Sequence, residues 1–209
     1  MLVPIAADLP DDFVIDAPLK PAIECPVAPD LAPPTIRSVA IVGRPNVGKS
    51  TLFNRWVGRQ ASITDPTAGT TRDRVLHTIR RNGLTFDIVD TGGIGVIDEQ
   101  RLADHIEEQI QRAILSASLI VFVADATAGL TPFDESIAAD LRRTGLPIVF
   151  AVNKTEGGRA RTLAETEFAR LGFGRPYFIS ALQGLDFQEL LDHVVDTLLE
   201  RYPRTDADD

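Results

Sequence analysis

Between a β-branched apolar run, Ser38–Val42, and a segment with helical spacing, Lys49–Val57, lies the loop Gly43-Arg44-Pro45-Asn46-Val47-Gly48-Lys49-Ser50. It obeys the pattern G-x-x-x-x-G-K-[ST] in the strand-then-helix context that gives the pattern meaning. Glycine at 43 and 48 lets backbone N–H groups turn toward an anion without a Cβ in the way. The helix that follows adds about half a positive charge at its N-terminus. Lys49 has the reach for the β- and γ-phosphates of a nucleotide, and the Ser50 hydroxyl is a hard oxygen ligand for Mg²⁺.

The rest of the chain fits this start. Val75–Arg81 and Leu84–Asp90 flank Asn82-Gly83, the dipeptide favoured in type I′ hairpins, and predict two antiparallel strands. Leu119–Asp125 and Pro147–Asn153 read as buried strands, and Pro176–Ile179 as a short one. Helices are expected over Arg101–Ser116, from Thr131-Pro132 with Asp134 closing a capping-box-like pattern, over Arg161–Leu171, and along the stripe Phe187, Leu190, Leu191, Val194, Val195, Leu198, Leu199. Gly58 is read as the stop of the first helix. Strands alternating with helices predict an α/β fold: a mainly parallel six-stranded sheet, helices on both faces, and one antiparallel hairpin strand. Ligands in such sheets bind beyond the carboxyl ends of the strands.

Composition sets the outer bounds. Eight of the fourteen prolines fall in residues 1–37, together with six acidic and two basic residues, so 1–37 reads as a flexible acidic extension. Residues 38–202 form the globular unit, and 203–209 an acidic tail or linker start. The formal net charge of −9 argues against DNA or RNA binding by bulk electrostatics. The longest apolar run, Leu119–Ala124, is six residues, far short of the roughly 20 a membrane span needs. Without a secretory signal, and with Cys25 as the sole cysteine, the expected compartment is the cytoplasm. His77, His105 and His193 lie in separate elements without ligand spacing and are expected to be ordinary histidines, and Trp56, with Leu52 and Phe53, helix-face packing.

Three further fragments sit after predicted strands. Asp90-Thr91-Gly92-Gly93 places a carboxylate for the outer Mg²⁺ shell and, at Gly93, an N–H able to sense a γ-phosphate. Asn153-Lys154-Thr155-Glu156 offers a carboxylate that can accept from guanine N1–H and N2–H₂, a donor pair adenine lacks. Asn153 can tie neighbouring loops together, the Lys154 stem can lie on a base, and Ser180-Ala181 can present an N–H to a base carbonyl. Between the first helix and the hairpin, the polar loop Arg59–Arg74 carries Thr70-Thr71, whose hydroxyls either complete the Mg²⁺ shell or cap a strand or turn. Arg72, Asp73 and Arg74 read equally as a partner surface and as a solvated loop.

Taken in order, GRPNVGKS, AGTTRDR, DTGGIG, NKTE and SALQG resemble the TRAFAC translation-factor-like GTPases, in particular the first G domain of the Der (EngA) family, with Era and MnmE as relatives. The resemblance covers residues 38–202. It implies GTP hydrolysis, with GTP/GDP, Mg²⁺ and a K⁺ ion as ligands, and a role in assembling the large ribosomal subunit. On the residues that match, it implies nucleotide contacts from Gly43, Asn46, Val47, Gly48, Lys49, Ser50 and Thr51, with Thr71 as the switch threonine. Asp90 and Gly93 form the second switch. Asn153, Lys154 and Glu156 meet the guanine, supported by Ser180, Ala181 and Leu182. Mg²⁺ falls to Ser50, Thr71 and Asp90, and K⁺ to Asn46. The resemblance also implies that catalysis rests on Lys49, Thr71, Asp90, Gly93 and Asn46.

Departures from the pattern are specific. Ile94 stands where Ras-like proteins place a water-orienting glutamine. Asn46 can also be a loop residue satisfying neighbouring backbone. Glu156 replaces the usual aspartate and shifts its carboxylate by about 1.5 Å, one C–C bond. Der has two G domains and a further C-terminal domain, whereas one G domain is read here. The chain is thus expected to be a Der-like protein or a truncated piece of one, meeting the ribosome or a large-subunit precursor only through additional domains or partners. Two rival readings stand: a guanine-nucleotide-binding regulatory module with little hydrolysis, and an ATP-dependent P-loop kinase or ATPase, against which the 153–156 fragment speaks.

Overall fold

The computed structural model describes residues 37–60, 75–91, 117–156, 161 and 165–203, without the side chains of residues 59, 60, 75 and 76. The expected helix Arg101–Ser116, and Thr70, Thr71, Gly93 and Ile94, lie outside these residues. Six strands form one sheet: β1 (Arg37–Val42), β2 (Val75–Arg81), β3 (Leu84–Asp90), β4 (Leu119–Asp125), β5 (Ile148–Asn153) and β6 (Tyr177–Phe178). Their order is β2-β3-β1-β4-β5-β6. Only β2–β3 is antiparallel; the other pairs are parallel, as the strand–helix alternation predicts. Asn82 (φ 51°) and Gly83 (φ 75°) both take positive φ at the hairpin turn, the requirement of a type I′ loop.

Three helices are fully described: α1 (Lys49–Gln60), α2 (Pro132–Arg143) and α3 (Phe187–Arg201). Successive residues of the central strands alternate between two cores. Val39, Ile41, Val121 and Val123 face Leu52, Phe53 and Trp56 of α1 and Leu190, Leu191, Val194 and Leu198 of α3. Ala40, Val42, Ile120, Phe122 and Ala124 face Ile137, Ala138 and Leu141 of α2. β4 is buried along its whole length, as a strand covered on both faces must be. Trp56 is fully buried, and its indole N–H donates to the Phe187 carbonyl at 3.1 Å, which joins α1 to the start of α3.

Four expectations need correction. α1 does not stop at Gly58 but runs on to Gln60. Gly58 is solvent-exposed with open space around it and keeps a helical backbone; glycine lowers helix stability by about 1 kcal/mol and does not by itself end a helix. The region expected as one helix to Leu171 is helical at 165–168 and then tightens into a 3₁₀ turn, Ala169–Leu171, which Gly172 ends at φ 71°. The sixth strand is two residues long, not four. β1 begins at Arg37, because that residue already pairs with Phe86 of β3.

Candidate functional site

Five parallel strands deliver their carboxyl ends to one edge of the sheet, and the motif residues among the described ones gather there. The loop Gly43–Ser50 leaves β1 and enters α1, with the first helical bond running from the Leu52 N–H to the Gly48 carbonyl at 3.0 Å. A Cβ on Gly43 would stand 2.2 Å from the Val123 carbonyl oxygen, so only glycine lets the loop cross β4 this closely. Gly48 sits at φ 99°, and a Cβ there would meet the Asn153 amide nitrogen at 2.3 Å.

Lys49 is buried. Its ammonium donates to the carbonyls of Gly43 (2.8 Å) and Arg44 (2.9 Å), so the loop curls around its own cation. Burial pushes this amine down to about 8; the nearby Asp90 carboxylate opposes the shift and the Arg44 guanidinium adds to it. Asp90 is buried at the end of β3, in register with Ile41. The Thr91 hydroxyl donates to the Ile41 carbonyl at 2.7 Å and ties the end of β3 to β1. Ser50 lies exposed in the first turn of α1, with Thr51 half-buried beside it.

Asn153 joins three segments. Its Nδ2 donates to the Val47 carbonyl (2.8 Å) and its Oδ1 accepts from the Ala181 N–H (2.9 Å). The Ala181 N–H, expected to face a base carbonyl, thus holds Asn153 in this structure. Ser180 Oγ donates to Glu156 Oε1 at 2.5 Å and accepts from the Gln183 N–H at 3.0 Å, which aims the glutamate. Arg55 of α1 braces the same turn, donating to the Ala181 carbonyl at 2.7 Å and also to the Leu182 carbonyl. Leu182 is 74% exposed at the rim. Lys154 takes a left-handed backbone (φ 65°) and spans back to the first loop, donating to the Asn46 carbonyl (2.8 Å) and to Asp125 Oδ2 (2.7 Å).

Arg44, Arg55 and Asp125 do not stand out in the sequence, and Asp134 does so only as a helix cap. Asp125 ends β4, in register with Asn153, and accepts from the Thr127 N–H (2.9 Å) and hydroxyl (2.7 Å). Burial alone would raise its carboxyl; the hydrogen bonds from Lys154 and Thr127 outweigh that and hold it below the usual carboxylate range. The Arg44 guanidinium lies 3.7 Å from Asp125 and 3.5 Å from Asp134. The one available signal was a charged residue at the carboxyl end of a predicted buried strand, Asp125.

For Mg²⁺ the donor set is suitable: a hydroxyl at Ser50 and a carboxylate at Asp90, both hard oxygens on the rim that holds Lys49. Among the described residues no group of three or more His, Cys, Asp or Glu side chains forms a metal cluster, and no helix is long and apolar enough to cross a membrane.

A family model described as "50S ribosome-binding GTPase" matches residues 38–154. The GTPase Der of Desulforudis audaxviator (strain MP104C) is 48% identical over 157 residues, which are 75% of this chain and 36% of that protein. The GTPase Der of Myxococcus xanthus (strain DK1622) is 47% identical over 172 residues, 81% of this chain and 37% of that protein. The chain therefore spans about a third of the length of these curated relatives. Among solved structures, Era in complex with MgGDPNP and nucleotides 1506–1542 of 16S ribosomal RNA is similar at TM-score 0.60 and 34% identity, over 82% of this chain and 58% of that one. Aquifex aeolicus Era bound to GDP and AlF₄⁻ is similar at TM-score 0.59 and 32% identity, with the same coverage.

Proposed function

Since this chain belongs to the 50S ribosome-binding GTPase family, we propose that it binds Mg²⁺·GTP at the strand-end rim, hydrolyses it to GDP and phosphate, and does so in large ribosomal subunit assembly, as a Der-like protein or a piece of one. The observation that carries the reading is Asn153, which ties the phosphate loop at Val47 to the turn at Ala181. One amide side chain thereby fixes the spacing between the place for phosphates and the place for a base.

In this reading residues 38–202 form the G domain, and ribosome contact comes through additional domains or partners of a cytoplasmic protein. The amides of Gly43–Thr51 cradle the β- and γ-phosphates, and Lys49 exchanges its carbonyl partners for phosphate oxygens. Ser50 and Asp90, with Thr71, hold Mg²⁺, which when bound neutralises charge building on the phosphates. Gly93 reports the γ-phosphate through its N–H. Glu156, aimed by Ser180, accepts from the guanine edge; Lys154 and Leu182 flank the base. Ile94 brings no side-chain amide to orient the attacking water, so that task falls to backbone, bound cations or a partner. Asn46, exposed on the loop at φ 64°, is the residue for a K⁺ ion.

Single-turnover hydrolysis of GTP by the purified chain tests this. Turnover is expected to be faster in K⁺ than in Na⁺, and Lys49→Ala should lower it by about 100-fold or more, the scale for losing a preorganised charge partner. The absent glutamine favours a second reading, a guanine-nucleotide-binding module that hydrolyses little by itself. Hydrolysis at background in both salts alongside firm GDP binding would establish that module. Calorimetry showing no heat from GDP or from a non-cleavable GTP mimic would end both readings.

A further inference from the structure

The structure assigns Arg44 the role of a positioning residue for the phosphate loop, working through Asp125 and Asp134; this rests on reading the rim as a guanine-nucleotide site. Main chain and side chain of Arg44 point to different tasks. Its carbonyl is one of the two that hold the Lys49 ammonium. Its guanidinium turns to the carboxylates of Asp125 and Asp134, 3.7 and 3.5 Å away. Asp134 is fully buried, and its Oδ2 already accepts from the Thr131 N–H (3.1 Å) and hydroxyl (2.7 Å), the capping box that starts α2. Asp125 Oδ2 also takes the Lys154 ammonium, which donates onward to the Asn46 carbonyl.

These contacts close a ring. It runs from residue 44 of the loop to Asp125, then to Lys154, and back into the loop at residue 46. Asp134 anchors the ring to the first turn of α2. Arg44 and Asn46, the residues on either side of Pro45, are thus both tied into the ring, one through its guanidinium and the other through its carbonyl. A guanidinium suits the task because its planar fork presents separate N–H groups to the two carboxylates, where a lysine ammonium is a single point charge on a flexible stem. The Arg44 Nε and Nη2 atoms are buried without a hydrogen bond among the described residues, as is Asp134 Oδ1, so the Arg44 arm of the ring is held by charge more than by aligned bonds.

The test is release of a fluorescent GDP analogue, chased with excess GDP, in the full chain and in Arg44→Met, Arg44→Lys, Asp125→Asn and the Arg44→Met/Asp125→Asn double variant. Melting of each nucleotide-free protein is followed in parallel. Arg44→Met should speed release about tenfold, the worth of one charge-assisted contact, and Arg44→Lys should recover part of that loss. The double variant should release more slowly than the product of the single effects, because both changes cut the same ring. If Arg44→Met folds and lowers the melting temperature yet releases GDP at the parent rate, Arg44 is merely structural and the assignment is overturned. If Arg44→Met does not fold, Asp125→Asn decides: a release rate equal to the parent's overturns it too. A parent chain that never retains the analogue removes the nucleotide site itself, an outcome distinct from a bound analogue whose release ignores residue 44.

Discussion

Opposite charges meet at both ends of the sheet, and the two clusters are built in opposite ways. At the end away from the rim, Arg81 of the hairpin grips Asp192 of α3 with two near-ideal bonds, Nε to Oδ1 at 2.7 Å and Nη2 to Oδ2 at 2.9 Å, and Asn82 adds a third at 3.3 Å. The Asp192 side chain is 41% exposed. At the rim, Arg44 sits 3.5 Å from an aspartate that is fully buried, with poorer alignment. Better geometry therefore goes with less leverage. Water and salt screen the outer pair, which limits it to about 0.2–1 kcal/mol. The inner carboxylate has no solvent to fall back on, and removing one partner of a buried pair costs about 3–5 kcal/mol.

Three measurements sharpen or break that contrast. The largest effect should come from Asp134→Ala, which removes both the Arg44 partner and the carboxylate half of the α2 capping box. Its expected cost is about 3 kcal/mol or more in urea unfolding, and a cost below about 1 kcal/mol would place the buried cluster on a par with the exposed one. Thr131→Val keeps the buried charge and removes the hydroxyl that donates to Asp134 Oδ2 and accepts from the Asp134 N–H. About 1 kcal/mol is expected, the usual worth of an N-cap. The smallest effect belongs to Arg81→Ala, under about 1 kcal/mol at neutral pH.

That last difference should also depend on acid. The hydrogen bond from Arg81 holds the Asp192 carboxyl below its ordinary value of 3.8, against a smaller opposing effect of burial. A depressed carboxyl stabilises the fold above its unfolded value, and the contribution disappears as the pH falls through the folded one. Parent and Arg81→Ala melting curves should thus differ at pH 7 and converge well below pH 4; a gap that persists in acid would mean that Arg81 acts by packing its stem, not by charge.

The same contrast explains how much of the molecule its sequence made legible. Asn82-Gly83 specifies its turn through backbone sterics within two residues, and Thr131-Pro132 with Asp134 specifies a helix start within four, so both were readable. That the loop 43–50, Asn153 and Glu156 gather at one rim was readable because each fragment follows a predicted parallel strand. The meeting of Arg44 with Asp125 and Asp134 was not. They meet only because β1 and β4 pair in one particular register, Val39 with Leu119, and because α2 begins just beyond β4. Nothing local distinguishes Arg44 from a solvated arginine. Gly58 misled in the other direction: its local preference to end a helix yielded to α1 packing through Leu52, Phe53 and Trp56.

Arg37 opens β1, is buried, and donates to the carbonyls of Tyr202 (3.1 Å) and Pro203 (2.9 Å) just past α3. Residues 37 and 203 are therefore moored at one pole, and the phosphate loop occupies the other. The mast between them is β1, six residues or about 20 Å long and laced to a neighbour on each side. Its pairing on both sides fixes the distance between the moored flanks and the loop. One strand therefore sets how far the residue 43–50 loop stands from the place where residues 37 and 203 meet.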